Sequence, residues 1–90
     1  MSGAIEELRG RIADLDQALV AMAGRRLELV ELLRREKEAR QLDFVDPEQE
    51  RRLTEALVAG NEGALSAEGV RELVEAILAL TKRELARRGS

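Results

Sequence analysis

One long segment without proline limits what this chain can fold into. From about Ala4 to Gln41 the only glycines are Gly10 and Gly24, and apolar residues recur at alternating steps of three and four. The residues on this stripe are Ile5, Leu8, Ile12, Leu15, Leu19, Met22, Leu29 and Leu33. Because these steps are the a and d positions of a heptad repeat, the segment is predicted to form a single amphipathic helix.

The length of this helix predicts self-association. At about 1.5 Å per residue it spans roughly 55 Å, whereas a compact monomer of this size has a radius of gyration near 12 Å. Much of the apolar stripe would therefore face water unless a second copy covered it. The chain of 90 residues contains no cysteine, so disulfides cannot stabilise so small a domain. We expect a homodimer.

Two shorter helices follow the long one. Asp46 is a good N-cap, with proline at the first helical position and Gln49 three residues after the cap, and these features predict a helix over about 47–59. Ser66 is the predicted N-cap of a third helix, placed at about 66–88. With the first helix at about 4–41, the chain is predicted to be all-α, with one domain over residues 1–90.

Composition excludes several classes of function. There is no histidine, which removes the usual proton shuttle at neutral pH and the commonest metal ligand. Phe44 is the only aromatic residue and the net charge is −3, so we expect no nucleic-acid partner. No apolar run approaches the length of a membrane span, and there is no signal-peptide pattern at the N-terminus. We expect a cytoplasmic protein without a membrane partner.

Some charged residues interrupt the apolar pattern. Arg26 occupies an a position of the heptad repeat, where it forms either a site or a buried interhelical salt bridge. Lys37 follows Arg26 by eleven residues, about three turns, and so points from the same face. Arg9 points about a quarter-turn away, but could approach Arg26 of a second chain in an antiparallel pair of helices. Taken singly, Arg9 and Lys37 are also compatible with solvated surface charges.

Structural roles alone can account for the polar residues of the two shorter helices. Asp46 caps its helix, and Glu50 lies in the first turn, where the helix dipole favours a carboxylate. The hydroxyl of Thr81 can bond back to the carbonyl of Ile77. None of these residues identifies a function by itself.

Taken together, these positions resemble a known family. They are Leu8, Arg9, Ile12, Asp14, Leu15, Asp16, Arg26, Leu29, Lys37, Asp46, Pro47 and Glu50. Their spacing is similar to that of the all-α (AroQ-class) chorismate mutases over nearly the whole chain. The resemblance implies an intertwined homodimeric helical bundle that rearranges chorismate to prephenate in the shikimate pathway to aromatic amino acids, with no cofactor and no metal.

The resemblance also implies roles for individual residues. Lys37, Arg26 and Glu50 would be the catalytic residues, and Arg9 would be supplied in trans by the second chain. The substrate-binding residues would be Arg9, Arg26, Lys37, Asp46, Gln49, Glu50 and Thr81. The cations would hold the two carboxylates of chorismate, and Lys37 would also contact its ether oxygen.

The sequence departs from the family pattern at two positions, which leaves other functions open. Gln49 stands where the family has an arginine, unless Arg51 or Arg52 reaches in, and Leu85 stands where it has a glutamine. These departures favour a second interpretation, a weakly active regulatory module that binds chorismate or prephenate. A purely structural helical dimerisation domain is a third, and a lyase acting on isochorismate is a fourth. Fusion or association with another shikimate-pathway enzyme is also compatible with the chain.

Overall fold

The computed structural model describes residues 2–89, which form three α-helices. Helix α1 is Ser2–Ala39, α2 is Pro47–Gly60 and α3 is Ala67–Arg87. No strand occurs in this part of the chain, which confirms the prediction of an all-α protein with one very long helix. Helix α1 begins and ends two residues earlier than predicted, whereas α2 continues one residue further and α3 ends one residue earlier.

The early end of α1 follows from a turn centred on Gln41. The backbone of Gln41 has a φ of 59°, in the left-handed region. Its N–H donates to the carbonyl of Glu38 (3.1 Å), and the N–H of Leu42 donates to the carbonyl of Lys37 (2.8 Å). These two bonds form a Schellman motif, which satisfies carbonyls that the end of the helix would otherwise leave without a partner. The turn directs residues 42–46 back towards the last turn of α1.

Side-chain caps fix the starts of α2 and α3. The Asp46 carboxylate accepts a hydrogen bond from the N–H of Gln49 (3.2 Å), and the Ser66 hydroxyl accepts one from the N–H of Gly69 (3.0 Å). Both caps agree with the sequence prediction. Between the helices, the Asn61 side chain accepts from the N–H of Gly63 and donates to the carbonyl of Leu65.

The chain divides into two compact units, Met1–Val30 and Glu31–Ser90. The described part of the first unit is a single stretch of α1, and Leu27 is its one buried apolar side chain. The apolar side chains on its heptad stripe are each more than half exposed. They are Ile5, Leu8, Ile12, Leu15, Leu19, Met22 and Leu29. A helix with such a stripe is not stabilised by packing within its own unit.

The second unit contains the end of α1 together with α2 and α3. Helix α3 buries Val70, Val74 and Leu85, which share the face predicted from the sequence. Helix α2 packs against α3, and on its exposed side the Glu55 carboxylate accepts two hydrogen bonds from the Arg71 guanidinium, at 2.7 and 3.4 Å. None of the helices described for residues 2–89 is long and apolar enough to cross a membrane.

Candidate active site

Lys37, the predicted catalytic lysine, lies in the last turn of α1 and is half-buried. Its Nζ donates a hydrogen bond to the carbonyl oxygen of Phe44 (3.2 Å) and lies 6.0 Å from the centre of the Phe44 ring. The Schellman turn at Gln41 produces this arrangement, because it brings the loop back over the lysine. The ammonium is thus held near one position, with further donor capacity for an anionic ligand.

The start of α2 places three predicted site residues within its cap and first turn. Asp46 is the N-cap, and its carboxylate already accepts from the N–H of Gln49. The Gln49 side chain is exposed, whereas Glu50 is half-buried and its N–H donates to the Asp46 carbonyl (3.1 Å). Both carboxylates lie at the positive end of the helix dipole, which attracts negatively charged groups. This end of α2 can therefore accept hydrogen bonds from a ligand hydroxyl.

Helix α3 brings two polar residues to the same unit. The Thr81 hydroxyl donates to the carbonyl of Ile77 (2.7 Å), the structural role predicted from the sequence. The next residue, Lys82, places its Nζ 3.6 Å from Oε2 of Glu50. Since Glu50 lies on α2 and Lys82 on α3, the pairing of these helices puts a cation beside a predicted catalytic carboxylate.

Arg9 and Arg26 belong to the first unit. Arg9 is largely exposed, and one of its guanidinium nitrogens lies 3.7 Å from the Glu6 carboxylate one turn earlier. Arg26 is half-buried on the heptad stripe. Helix α1 runs from Ser2 to Ala39, and the placement of Arg26 and Lys37 in one site stays a prediction.

Gln49 and Leu85, the two residues that depart from the family pattern, differ in exposure, because Gln49 is exposed and Leu85 is buried. Leu85 is only 4% exposed, and its apolar side chain cannot donate a hydrogen bond. On α2, the Arg51 guanidinium is bonded to Glu48, and Arg52 lies 3.6 Å from the same carboxylate. Both arginines are thus paired with Glu48.

Lys82 and Phe44 contact predicted site residues, but sequence reasoning missed both. Glu50 and Lys82 are 32 residues apart and lie on different helices, so no local motif links them. Phe44 is the single aromatic residue of the sequence, and its contact with Lys37 depends on the turn at Gln41, which the sequence does not predict. The short connection between α2 and α3 predicts that these helices pair, but it does not single out Lys82, because Glu50 lies 10 residues before the end of α2 and Lys82 lies 15 residues after the start of α3.

The three helices define an all-α protein, and they carry lysine, arginine and carboxylate side chains, the groups that bind small anionic molecules by ion pairs and hydrogen bonds. Comparison with protein families identifies the family within this class. The model of the family "Chorismate mutase type II" matches residues 8–85, and the chain belongs to that family. Searches of curated proteins and of solved structures gave no significant match.

Membership of this family indicates chorismate mutase activity. The chain is thus an isomerase, and chorismate fits as its substrate, as the resemblance predicted. The matched range contains every predicted site residue, from Arg9 to Thr81. The role of each of these residues stays a prediction. Among residues 2–89, no group of three or more acidic side chains is placed to hold a metal ion.

Proposed function

We propose that this protein converts chorismate to prephenate in a site shared between two copies of the chain. The observation that carries the proposal is the family match over residues 8–85. The reaction is a Claisen rearrangement, in which one carbon–oxygen bond breaks while one carbon–carbon bond forms. No proton, electron pair or leaving group passes to the protein. Catalysis therefore depends on binding the reactive conformer and stabilising developing charge.

Cations on α1 would perform most of the catalysis. Arg26 and Arg9 of the partner subunit would bind the two carboxylates and hold chorismate in its compact, pseudo-diaxial conformer. Lys37 would contact a carboxylate and the ether oxygen, on which negative charge grows as the carbon–oxygen bond breaks. The hydrogen bond from Lys37 to Phe44 supports this role, because a pre-positioned ammonium does not have to reorganise during the reaction.

Residues of α2 and α3 would hold the rest of the substrate. Asp46 and Glu50 would accept a hydrogen bond from the hydroxyl group, and Thr81 and Gln49 would line the same region. Support comes from the half-buried carboxylate of Glu50 in the first turn of α2. Gln49 offers an amide where an arginine would offer a charge, so we expect the substrate to be held more weakly on that side.

Dimerisation is part of this proposal, because Arg9 has to come from a second chain. The heptad stripe of the first unit exposes Leu15 and Leu29 to 66% each. Burying apolar side chains of this size contributes about 1.5–3 kcal/mol for each one fully covered. A second copy presents the same stripe and is the simplest cover for it. We expect the enzyme to act in the cytoplasm.

The first test is turnover. Purified protein is mixed with chorismate, and the formation of prephenate is followed. Arg26→Ala and Lys37→Ala should each lower kcat/KM at least about 100-fold. Lys37 would act at the developing charge, where a donor contributes about 3–4 kcal/mol, and Arg26 would hold a carboxylate in the reactive geometry. Arg25→Ala is the control, because it removes an exposed charge next to Arg26 from another side of the helix. Wild-type activity retained in both test variants would reject this site.

The second test asks whether Arg9 acts in trans. In a mixture of Arg9→Ala and Arg26→Ala chains, each heterodimer would contain one site with both arginines and one with neither. Mixing two inactive variants should then restore about a quarter of wild-type activity, because half of the dimers are mixed and each has one intact site. A mixture as inactive as its components would show that both arginines come from one chain.

A second candidate function is a weakly active module that binds chorismate or prephenate for regulation. Leu85 favours it, since a buried leucine cannot donate to the ether oxygen. This function predicts thermal stabilisation by prephenate without appreciable turnover. A plain dimerisation domain, in contrast, would show neither turnover nor stabilisation. Association or fusion with another shikimate-pathway enzyme would suit the regulatory module.

A further inference from the structure

The ion pair between Glu50 and Lys82 is looser than the other pair that joins α2 to α3. Lys82 Nζ and Glu50 Oε2 are 3.6 Å apart, beyond hydrogen-bond distance, and the two side chains are 54% and 32% exposed. The Arg71–Glu55 pair is instead bidentate, with its shorter contact at 2.7 Å. Lys82 therefore acts on Glu50 mainly through its charge, and the Glu50 carboxylate retains acceptor capacity.

A positive charge beside Glu50 matters because the proposed substrate is itself negatively charged. Chorismate carries two carboxylates, and an ionised Glu50 in the same site repels both of them. The repulsion is strongest where the site excludes water, because like charges interact more strongly in a medium of lower dielectric constant. A site that uses Glu50 to accept a hydrogen bond from the substrate hydroxyl thus needs a positive charge close to that carboxylate.

The neighbouring arginines of α2 serve a different carboxylate. Arg51 donates two hydrogen bonds to Glu48, and Arg52 lies 3.6 Å from the same side chain. Both arginines are more than 60% exposed. The hydrogen bond from Arg51 to Glu48 also raises the pKa of Arg51. The cation placed against Glu50 comes from α3.

We propose that Lys82 is a positioning residue that neutralises Glu50, so that this carboxylate can hold the hydroxyl of chorismate without repelling the dianion. The inference rests on the proposed function of Glu50. The charge of Lys82 would favour the bound substrate and the transition state equally, since both are dianions. Its loss should therefore raise KM and leave kcat nearly unchanged.

The test is a double-mutant cycle on the 90-residue chain, with Lys82→Gln and Glu50→Gln made singly and together. Glu50→Gln removes the charge but keeps an oxygen that accepts from a hydroxyl. We expect Lys82→Gln to raise KM about tenfold in the chain that retains Glu50, and less than about twofold in the Glu50→Gln background. Arg87→Gln is the control, because it removes an equal charge from α3 next to Glu84 and should leave KM unchanged.

Circular dichroism would check that each variant is folded. For variants whose turnover is too slow to give a KM, calorimetric titration would give the Kd for prephenate, which is compared in the same double-mutant cycle. An equal rise in KM in both backgrounds would overturn the proposal, since Lys82 would then contact the substrate directly. An unchanged KM in Lys82→Gln would also overturn it while leaving the mutase function intact. A wild-type protein that neither turns over chorismate nor binds prephenate would overturn both.

Discussion

Gln41 ends the longest helix of the protein with a backbone conformation that glycine adopts more readily. Its φ of 59° lies in the left-handed region, where a Cβ atom crowds the following carbonyl oxygen at a cost of about 1–2 kcal/mol. The Schellman motif and the contact between Lys37 and Phe44 both follow from this residue. The turn thus combines local strain with the positioning of the proposed catalytic lysine.

Gln41→Gly should raise the free energy of unfolding by about 1 kcal/mol, because glycine adopts a positive φ without that crowding. The measurement is urea denaturation at fixed protein concentration. Gln17→Gly is the matched control, because the same substitution inside α1 should lower stability by about 1 kcal/mol. Equal destabilisation by both changes would contradict this account of the turn.

Single residues were predictable from the sequence where their partners lie nearby in the chain. The caps at Asp46 and Ser66, and the bond from Thr81 to Ile77, each connect residues three or four apart. Gln41 was not predictable, because a glutamine in the left-handed region has no sequence signature like that of glycine. For this reason the sequence predicts an end of α1 two residues beyond the observed one, and it contains no signal for the contact of Lys37 with Phe44.

At the scale of elements, helix order and length were predictable but the register between helices was not. The heptad pattern and the Asp-Pro start are local signals, and both gave helices close to those observed. Which residues of α2 face α3 depends on how the two side-chain surfaces fit together. The Glu50–Lys82 and Glu55–Arg71 pairs therefore became evident only from the packed helices.

The Glu55–Arg71 pair predicts how stability changes with pH. The hydrogen bond and then the charge of Arg71 lower the pKa of Glu55 below its ordinary value of 4.5. A group whose pKa is lower in the folded state stabilises the protein fully above its unfolded pKa, and loses that effect as pH falls through the folded pKa. The pair should thus stabilise the fold at neutral pH and contribute progressively less below about pH 4.5.

Arg71→Gln tests this expectation. The difference in unfolding free energy between wild type and variant, measured by urea denaturation at several pH values, should be constant near neutrality and shrink in acid. Arg83→Gln removes an equal charge from α3 and controls for the change in net charge. A difference that stays the same from pH 7 to pH 3 would mean that Glu55 does not respond to Arg71.

At the scale of the whole molecule, the sequence predicts the surface that a second chain would cover. The heptad spacing placed Ile12, Leu15 and Leu19 on one stripe, and all three side chains are more than half exposed in the first unit. The dimer itself stays a prediction, because a pattern on one chain does not specify the orientation of two. The proposed site depends on that assembly through Arg9, so activity and association should be lost together.

Leu15→Glu tests whether activity depends on association, since it places a charge at the centre of the heptad stripe. We expect a shift from dimer to monomer in sedimentation, and loss of most turnover even where substrate saturates, because Arg9 of the partner subunit would then be absent. Gln17→Glu is the control: it adds the same charge two residues away, on the opposite side of α1, and should leave both properties unchanged. A Leu15→Glu monomer with full activity would show that one chain suffices for catalysis, and Arg9 would then have no role in trans.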